Sequence, residues 1–191
     1  MQQISNINSK IIDLREENDK FHNLFEFNDS RENILKIVTH DSQMFLITYK
    51  QEIDYKGTVT EFEYNGYILK NHKSCSKKPF ITMLCYPCYN EAPYYLKSIF
   101  IGDFKSNPNY RDKGFGTIIM NELIQYAKKL NVNYISGELS FVDIGKNDED
   151  DSCKEKRERL YHFYPKFGFI IEEHKMENGR IKKTIKLNLK K

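Results

Sequence analysis

With 191 residues, 39% of them hydrophobic, the chain is long enough for one domain with a packed core. Charged residues make up 30% and nearly cancel, leaving a net charge of +3, which argues against a nucleic-acid binder or a membrane-surface protein. No apolar run approaches the roughly 18 residues of a membrane span. The start, Met1-Gln2-Gln3-Ile4-Ser5, has no charged stretch leading into an apolar one, so the expected location is the cytoplasm.

Residues 1 to 38 carry a helical pattern. Ile4, Ile7, Ile11 and Leu14 keep a three-to-four spacing, and Phe21, Leu24 and Phe25 continue the apolar character. Asp29-Ser30-Arg31-Glu32 reads as a helix start, with Ile34, Leu35 and Val38 as its buried face. Residues 44 to 50 read as a strand. Val59 to Leu69 alternates until Asn65-Gly66, a strong hairpin dipeptide flanked by Phe62, Tyr64, Tyr67 and Ile68. Phe80 to Tyr86 and Tyr94 to Phe104 read as two strands, joined by a turn holding Pro87, Asn90 and Pro93.

The four cysteines are expected to be thiols. His72-x-x-Cys75 and Cys85-x-x-Cys88, nine residues apart, have the spacing of zinc ligands. Ile81 to Tyr86, however, has the character of a buried strand, where Cys is a small hydrophobe, so no metal is expected.

The most informative stretch is Arg111-Asp112-Lys113-Gly114-Phe115-Gly116-Thr117. A β-rich run precedes it. After it, Ile119, Met120, Leu123, Ile124, Ala127 and Leu130 follow at helical spacing. A strand, a glycine loop with two cations and a helix start make an anion site. The first N–H groups of a helix lack internal partners, the dipole adds positive charge, and glycines let the backbone approach a phosphate. A pyrophosphate is the natural guest. The loop lacks the Gly-Lys-Ser/Thr of a Walker loop and the third glycine of a dinucleotide fingerprint.

Beyond it, Asn131-Val132-Asn133 makes a turn and Tyr134 to Ser140 a strand, so strand, helix and strand form a right-handed crossover with the two strands parallel. Asp143 to Glu158 reads as a solvated loop entering a helix, with Ser152 as its cap candidate. Ile170 to Lys175 and Ile181 to Leu189 form a hairpin about Asn178-Gly179. Lys182, Lys183, Lys186, Lys190 and Lys191 are expected to protect a solvated edge strand.

The loop Arg111 to Gly116 resembles the acetyl-CoA loop of the GCN5-related N-acetyltransferase (GNAT) superfamily, whose pattern is Arg/Gln-x-x-Gly-x-Gly/Ala. About 45 residues on, an interval that suits a helix, a strand and a second helix, Leu160 to Phe169 resembles that superfamily's second signature, a helix ending in Tyr-x-x-x-Gly-Phe, with Tyr164 four residues before Gly168. The resemblance covers about residues 94 to 175. It implies an α/β (α+β) fold: a mixed, mostly antiparallel central sheet with a splayed parallel pair, flanked by helices, in a single domain over 1–191. Residues 51–78 would be a hairpin insertion relative to the bare fold, and Phe21, Phe25 and Phe27 would be core aromatics or line an acceptor pocket.

The resemblance also implies a reaction: transfer of the acetyl group of acetyl-CoA, as co-substrate, to a small-molecule or peptide amine. Acetyl-CoA would be bound by Phe104, Lys105 and Ser106 at the end of the first strand and by Arg111, Asp112, Lys113, Gly114, Phe115, Gly116 and Thr117 in the loop. A backbone N–H near Phe104 to Ser106 would hold the oxyanion. Tyr164 would protonate the departing thiolate, since a phenol keeps its proton at pH 7, with Tyr161 as a substitute. The base would be Glu138, then Asp103, with His162 as another titratable group in range. Where the family often has Asn, seven residues before the tyrosine, this chain has Arg157, so an Asn contact to the cofactor is not expected, and Arg157 or Arg159 is an exposed helical Arg or a phosphate contact. Two alternatives stand beside this reading: a CoA-binding sensor or interaction module without turnover, and an acceptor of macromolecular type, such as a charged tRNA or a protein, for which the late lysines would form a groove and to which a net charge of +3 gives little support. The acidic stretch 148–151 would suit a cationic acceptor, and a homodimer through C-terminal edge strands is compatible with the pattern.

Overall fold

The computed structural model describes residues 10–13, 33–70, 74–91, 95–140, 153–176 and 181–190. Its strands are β1 (Lys10–Asp13), β2 (Asn33–His40), β3 (Gln43–Ile53), β4 (Val59–Lys70), β5 (Ser74–Cys75), β6 (Ile81–Tyr89), β7 (Leu96–Ser106), β8 (Tyr134–Leu139), β9 (Ile170–Lys175) and β10 (Ile181–Asn188). Its α-helices are α1 (Phe115–Lys129) and α2 (Lys154–Phe163). This is an α/β fold with a mixed sheet containing one parallel pair. The chain divides into two compact units, Met1–Cys85 with Asp103–Glu122, and Tyr86–Gly102 with Leu123–Lys191.

In the first unit the strand order is β1-β2-β3-β4-β6-β7, with β5 beside β4. The helix expected through residue 38 is not there: residues 33–40 are a strand, paired antiparallel with β3. Of the face expected for that helix, Ile34 and Val38 are buried and Leu35 is partly buried, but in a strand. A register shift between Ile34 and Lys36 makes a bulge, so Ile34 and Ile37, three residues apart, enter one cluster with Leu46 and Leu69. An irregular strand thereby imitates a helical face. Residues 10–13 are also strand, while the rest of that expectation, including Phe21, Phe25, Phe27 and the start at Asp29, lies outside the described residues.

Asn65-Gly66 is not a turn. β4 runs straight through it, paired with β3 on one side and β6 on the other, and the β3–β4 turn is at residues 54–58, closed by Asp54 N–H to Thr58 O at 2.9 Å. The glycine serves packing. A Cβ on Gly66 would meet Ile81 Cγ2 at 2.5 Å and the Phe80 ring at 3.0 Å, and Asn65 Oδ1 accepts from Thr82 Oγ1 at 2.9 Å. A Gly inside a strand often marks such an approach.

In the second unit the order is β6-β7-β8-β10-β9. β6 continues through Pro87 to Tyr89, so the turn begins later than expected, with Asn90 N–H donating to Tyr95 O at 3.0 Å. The connection is too short for a crossover, which makes β6 and β7 antiparallel. β7 and β8 are parallel, as the crossover pattern requires, in register from Ser98↔Tyr134 to Ile101↔Gly137. β9 and β10 form the expected hairpin, whose turn lies outside the described residues. The lysine-rich strand is not an edge: β10 lies between β8 and β9, and Lys183 is 3% exposed.

Candidate functional site

The loop after β7 is held by its own backbone and by an aromatic cluster. Asn107 N–H donates to Phe80 O at 2.7 Å, and Asn107 Oδ1 accepts from Asn109 N–H at 3.0 Å, capping a 3-10 turn over Pro108–Tyr110. The chain then turns through left-handed conformations at Asp112 (φ 58°) and Gly114 (φ 83°) and enters α1 at Phe115. The Phe115 ring is 1% exposed, 4.5 Å from Phe45 and 4.8 Å from Phe80, while Tyr110 lies 4.9 Å from Phe80. Burying such rings contributes about 1.5–3 kcal/mol each, enough to fix the loop before any ligand arrives.

This placement sorts the expected loop residues. Phe115 spends its side chain on the core, so only its backbone faces outward chemistry. Arg111 curls back, its Nη2 donating to Ser106 O at 3.4 Å, and Lys113 Nζ lies 5.6 Å over the Tyr110 ring. Asp112 is exposed, while Gly114, Gly116 and Thr117 are partly covered. At the helix start Ile118 N–H donates to Gly114 O at 3.1 Å. Two cations and a helix N-terminus are therefore assembled on rigid supports.

Asp103, Lys105 and Ser106 line an open groove of about 490 Å³ with Asn107, Glu63 and Thr82 among its other walls. Asp103 pairs with Lys105, and Glu63 Oε2 with Lys50 Nζ at 3.0 Å. Phe104 is half-buried. Glu63 had no local signal in the sequence: it is placed beside the groove by pairing across three strands.

In the second unit the segment Tyr164 to Phe169 has a clear logic. Tyr164 follows α2 and is 5% exposed, its ring edge-on to Phe163 at 5.3 Å and to Phe169 at 5.6 Å. Gly168, at φ 89°, closes the 3-10 turn, and Phe169 N–H donates back to Tyr164 O at 3.4 Å. Tyr161, one turn earlier, accepts a hydrogen bond from Lys183 Nζ, which also meets Glu173 Oε1 at 2.7 Å. His162 is exposed. Arg157 is 7% exposed, contrary to the expectation of a solvated arginine, whereas Arg159 is at the surface beside Glu155 at 3.8 Å.

Glu138 lies near the end of β8, its Oε2 2.7 Å from Lys182 Nζ. Side chains alternate along a strand. Leu139 is opposite Lys183, which meets Tyr161 of α2, so Glu138, opposite Thr184, projects from the other face of the sheet. Tyr164 and Glu138 thus belong to opposite faces of the same unit.

The zinc spacing does not converge among the described residues. Cys85 is fully buried in the core and Cys88 is exposed, as residues three apart on a strand must diverge. Burial pushes the Cys85 thiol pKa upward. His72 and the Cys75 side chain lie outside the described residues. Among the described residues no helix is long and apolar enough to cross a membrane.

No curated protein sequence matches the chain. Among solved structures, an acetyltransferase of the GNAT family from Staphylococcus aureus Mu50 is similar at 13% identity and a TM-score of 0.46, over 68% of this chain and 69% of that one. The NatC complex bound to Gag peptide and CoA contains a chain similar at 15% identity and a TM-score of 0.47, over 67% of this chain and 71% of that one. A GNAT family acetyltransferase from Elizabethkingia anophelis with acetyl-CoA bound is similar at 13% identity and a TM-score of 0.43, over 68% of this chain and 77% of that one. The model of the acetyltransferase (GNAT) family matches residues 82–169, from β6 through the loop and α1 to Phe169. That stretch is what the chain shares with the acetyltransferase (GNAT) family.

Proposed function

We propose that the chain is an N-acetyltransferase, acting as one domain, that joins the acetyl group of acetyl-CoA to a primary amine by direct attack in a ternary complex. The observation that carries this reading is the loop between β7 and α1: left-handed turns at Asp112 and Gly114, anchored by buried Phe115, leading to a helix N-terminus flanked by Arg111 and Lys113. That donor set suits a pyrophosphate. Acetyl-CoA supplies the activated acyl group as a thioester.

The residues divide the work. Backbone N–H groups from Phe104 to Ser106 hold the carbonyl oxygen as it gains charge. Glu138 takes a proton from the amine, with Asp103, on the groove wall, as the second carboxylate able to do so. The amine nitrogen bonds to the carbonyl carbon, the C–S bond breaks, and Tyr164 gives its phenolic proton to the sulfur.

The test is turnover of acetyl-CoA against a panel of primary amines, read as thiol release and as an acetylated product by mass spectrometry. Product formation, reduced about 10²–10⁴-fold in kcat by Tyr164→Phe, is expected for a general acid. Acetyl-CoA binding without any acetylated amine would leave a CoA-binding sensor as the better description.

A further inference from the structure

Gly102 stands within β7, one residue past the last rung of the parallel ladder, Ile101↔Gly137. A glycine in a strand marks a place where another group comes close. Here that group is Tyr86 of β6: a Cβ on Gly102 would overlap Tyr86 Cε2 and lie 2.9 Å from Cδ2. The ring therefore occupies space over β7 that any other residue would fill. Adjacent strands are about 4.8 Å apart, so a ring leaning over β7 extends from β6 toward β8.

The next residue on β8 after Gly137 is Glu138. Gly102 and Glu138 each lie two residues beyond the rung Phe100↔Ser136, and therefore share a face of the sheet. Both side chains are accessible there: Tyr86 is 38% exposed and the Glu138 side chain 38%. Lys182, reaching over from β10, pairs with Glu138 Oε2 at 2.7 Å, and among the described residues Oε1 has no other ion-pair partner.

An aromatic ring over a vacated strand position and a carboxylate on the same face of the next strand have a chemical meaning. A primary alkylamine has a pKa near 10 in the manner of lysine and arrives protonated at pH 7. A ring attracts a cation to its face, and a carboxylate completes the seat and can take the proton. We propose that Tyr86 and Glu138, with Gly102 as the gap that admits the ring, form a seat for an alkylammonium group, and that the acceptor is an amine bound as its cation before deprotonation. The second half of this statement rests on the proposed function; the seat itself does not.

The probe is tetramethylammonium, a cation with no proton to lose and no nitrogen to acetylate, followed by saturation-transfer NMR on the full chain, with tert-butanol as a neutral molecule of similar shape. The account predicts transfer to tetramethylammonium and not to tert-butanol, retention in Tyr86→Phe, and loss in Tyr86→Ala. In turnover, Tyr86→Ala raises the amine KM about tenfold, as a lost cation–π contact implies, with kcat and acetyl-CoA affinity within about twofold, and Tyr86→Phe restores KM. No transfer to the wild type, equal transfer in Tyr86→Ala, or equal transfer to tert-butanol overturns the seat. Should the amines give no product while the tetramethylammonium signal behaves as predicted, the seat stands and the acetyltransferase reading fails. Melting curves for each variant separate a local change from a fold that is lost.

Discussion

Single positions carry most of the chemistry, and each makes a separable claim. Gly114 adopts φ 83° between Lys113 and the first residue of α1. Alanine there carries a left-handed penalty of roughly 1–2 kcal/mol, so Gly114→Ala is expected to weaken acetyl-CoA binding several-fold by calorimetry and to lower the melting temperature by about 2–8 °C. Affinity equal to the wild type would detach this loop from the cofactor. The cysteines offer a test that needs no substrate. The thiolate is the reactive form, and burial both shields Cys85 and raises its pKa, whereas Cys88 is exposed. Brief alkylation of the native protein followed by peptide mapping should mark Cys88 and spare Cys85. Labelling of both at equal rates would contradict the burial of β6.

Elements explain why the sequence was readable in some places and misleading in others. The second half gave up its strands and helices because glycine loops, caps and amphipathic spacing are local signals. The parallel pairing of β7 with β8 and the hairpin of β9 with β10 follow from element order alone. Errors arose where packing overrode local pattern. Ile34, Leu35 and Val38, expected as a helical face, lie in the bulged strand β2, where Ile34 clusters with Ile37 instead. Gly66 was chosen for the Phe80 and Ile81 side chains that crowd it, not for a turn. That difference can be measured: Gly66→Ala in a central strand should cost about 1–3 kcal/mol by overpacking, as read from chemical denaturation, whereas a loss below about 0.5 kcal/mol would suit a surface position. The loop is likewise supported by its neighbours. Phe115→Ala should destabilise the protein by about 3–5 kcal/mol and weaken acetyl-CoA with it, since the ring fixes the entry to α1 between Phe45 and Phe80. The side chain of Phe115 belongs to the core, which leaves its backbone for a ligand, and no local pattern separates a buried motif aromatic from an exposed one. Tyr86 and Gly102 left a trace, a lone glycine in a strand, but the partner lies on another strand and only pairing reveals it.

On the scale of the whole molecule, β6, β7 and α1 each pass from one compact unit into the other. A helix or strand does not melt readily at its midpoint, so a single cooperative transition is expected rather than two. A ligand that binds only the folded chain raises its stability by about 2.7 kcal/mol at one hundred times Kd. The central claim is that the β7–α1 loop holds acetyl-CoA, and calorimetric titration of acetyl-CoA into the wild type and Gly116→Trp tests it most directly. Gly116 lies in the first turn of α1, where an indole would fill the space over the helix N-terminus. The account predicts saturable binding at about micromolar Kd, or roughly −8 kcal/mol, and its loss in the variant with the fold intact by circular dichroism. Absence of binding by the wild type, or equal binding by both proteins, would contradict it.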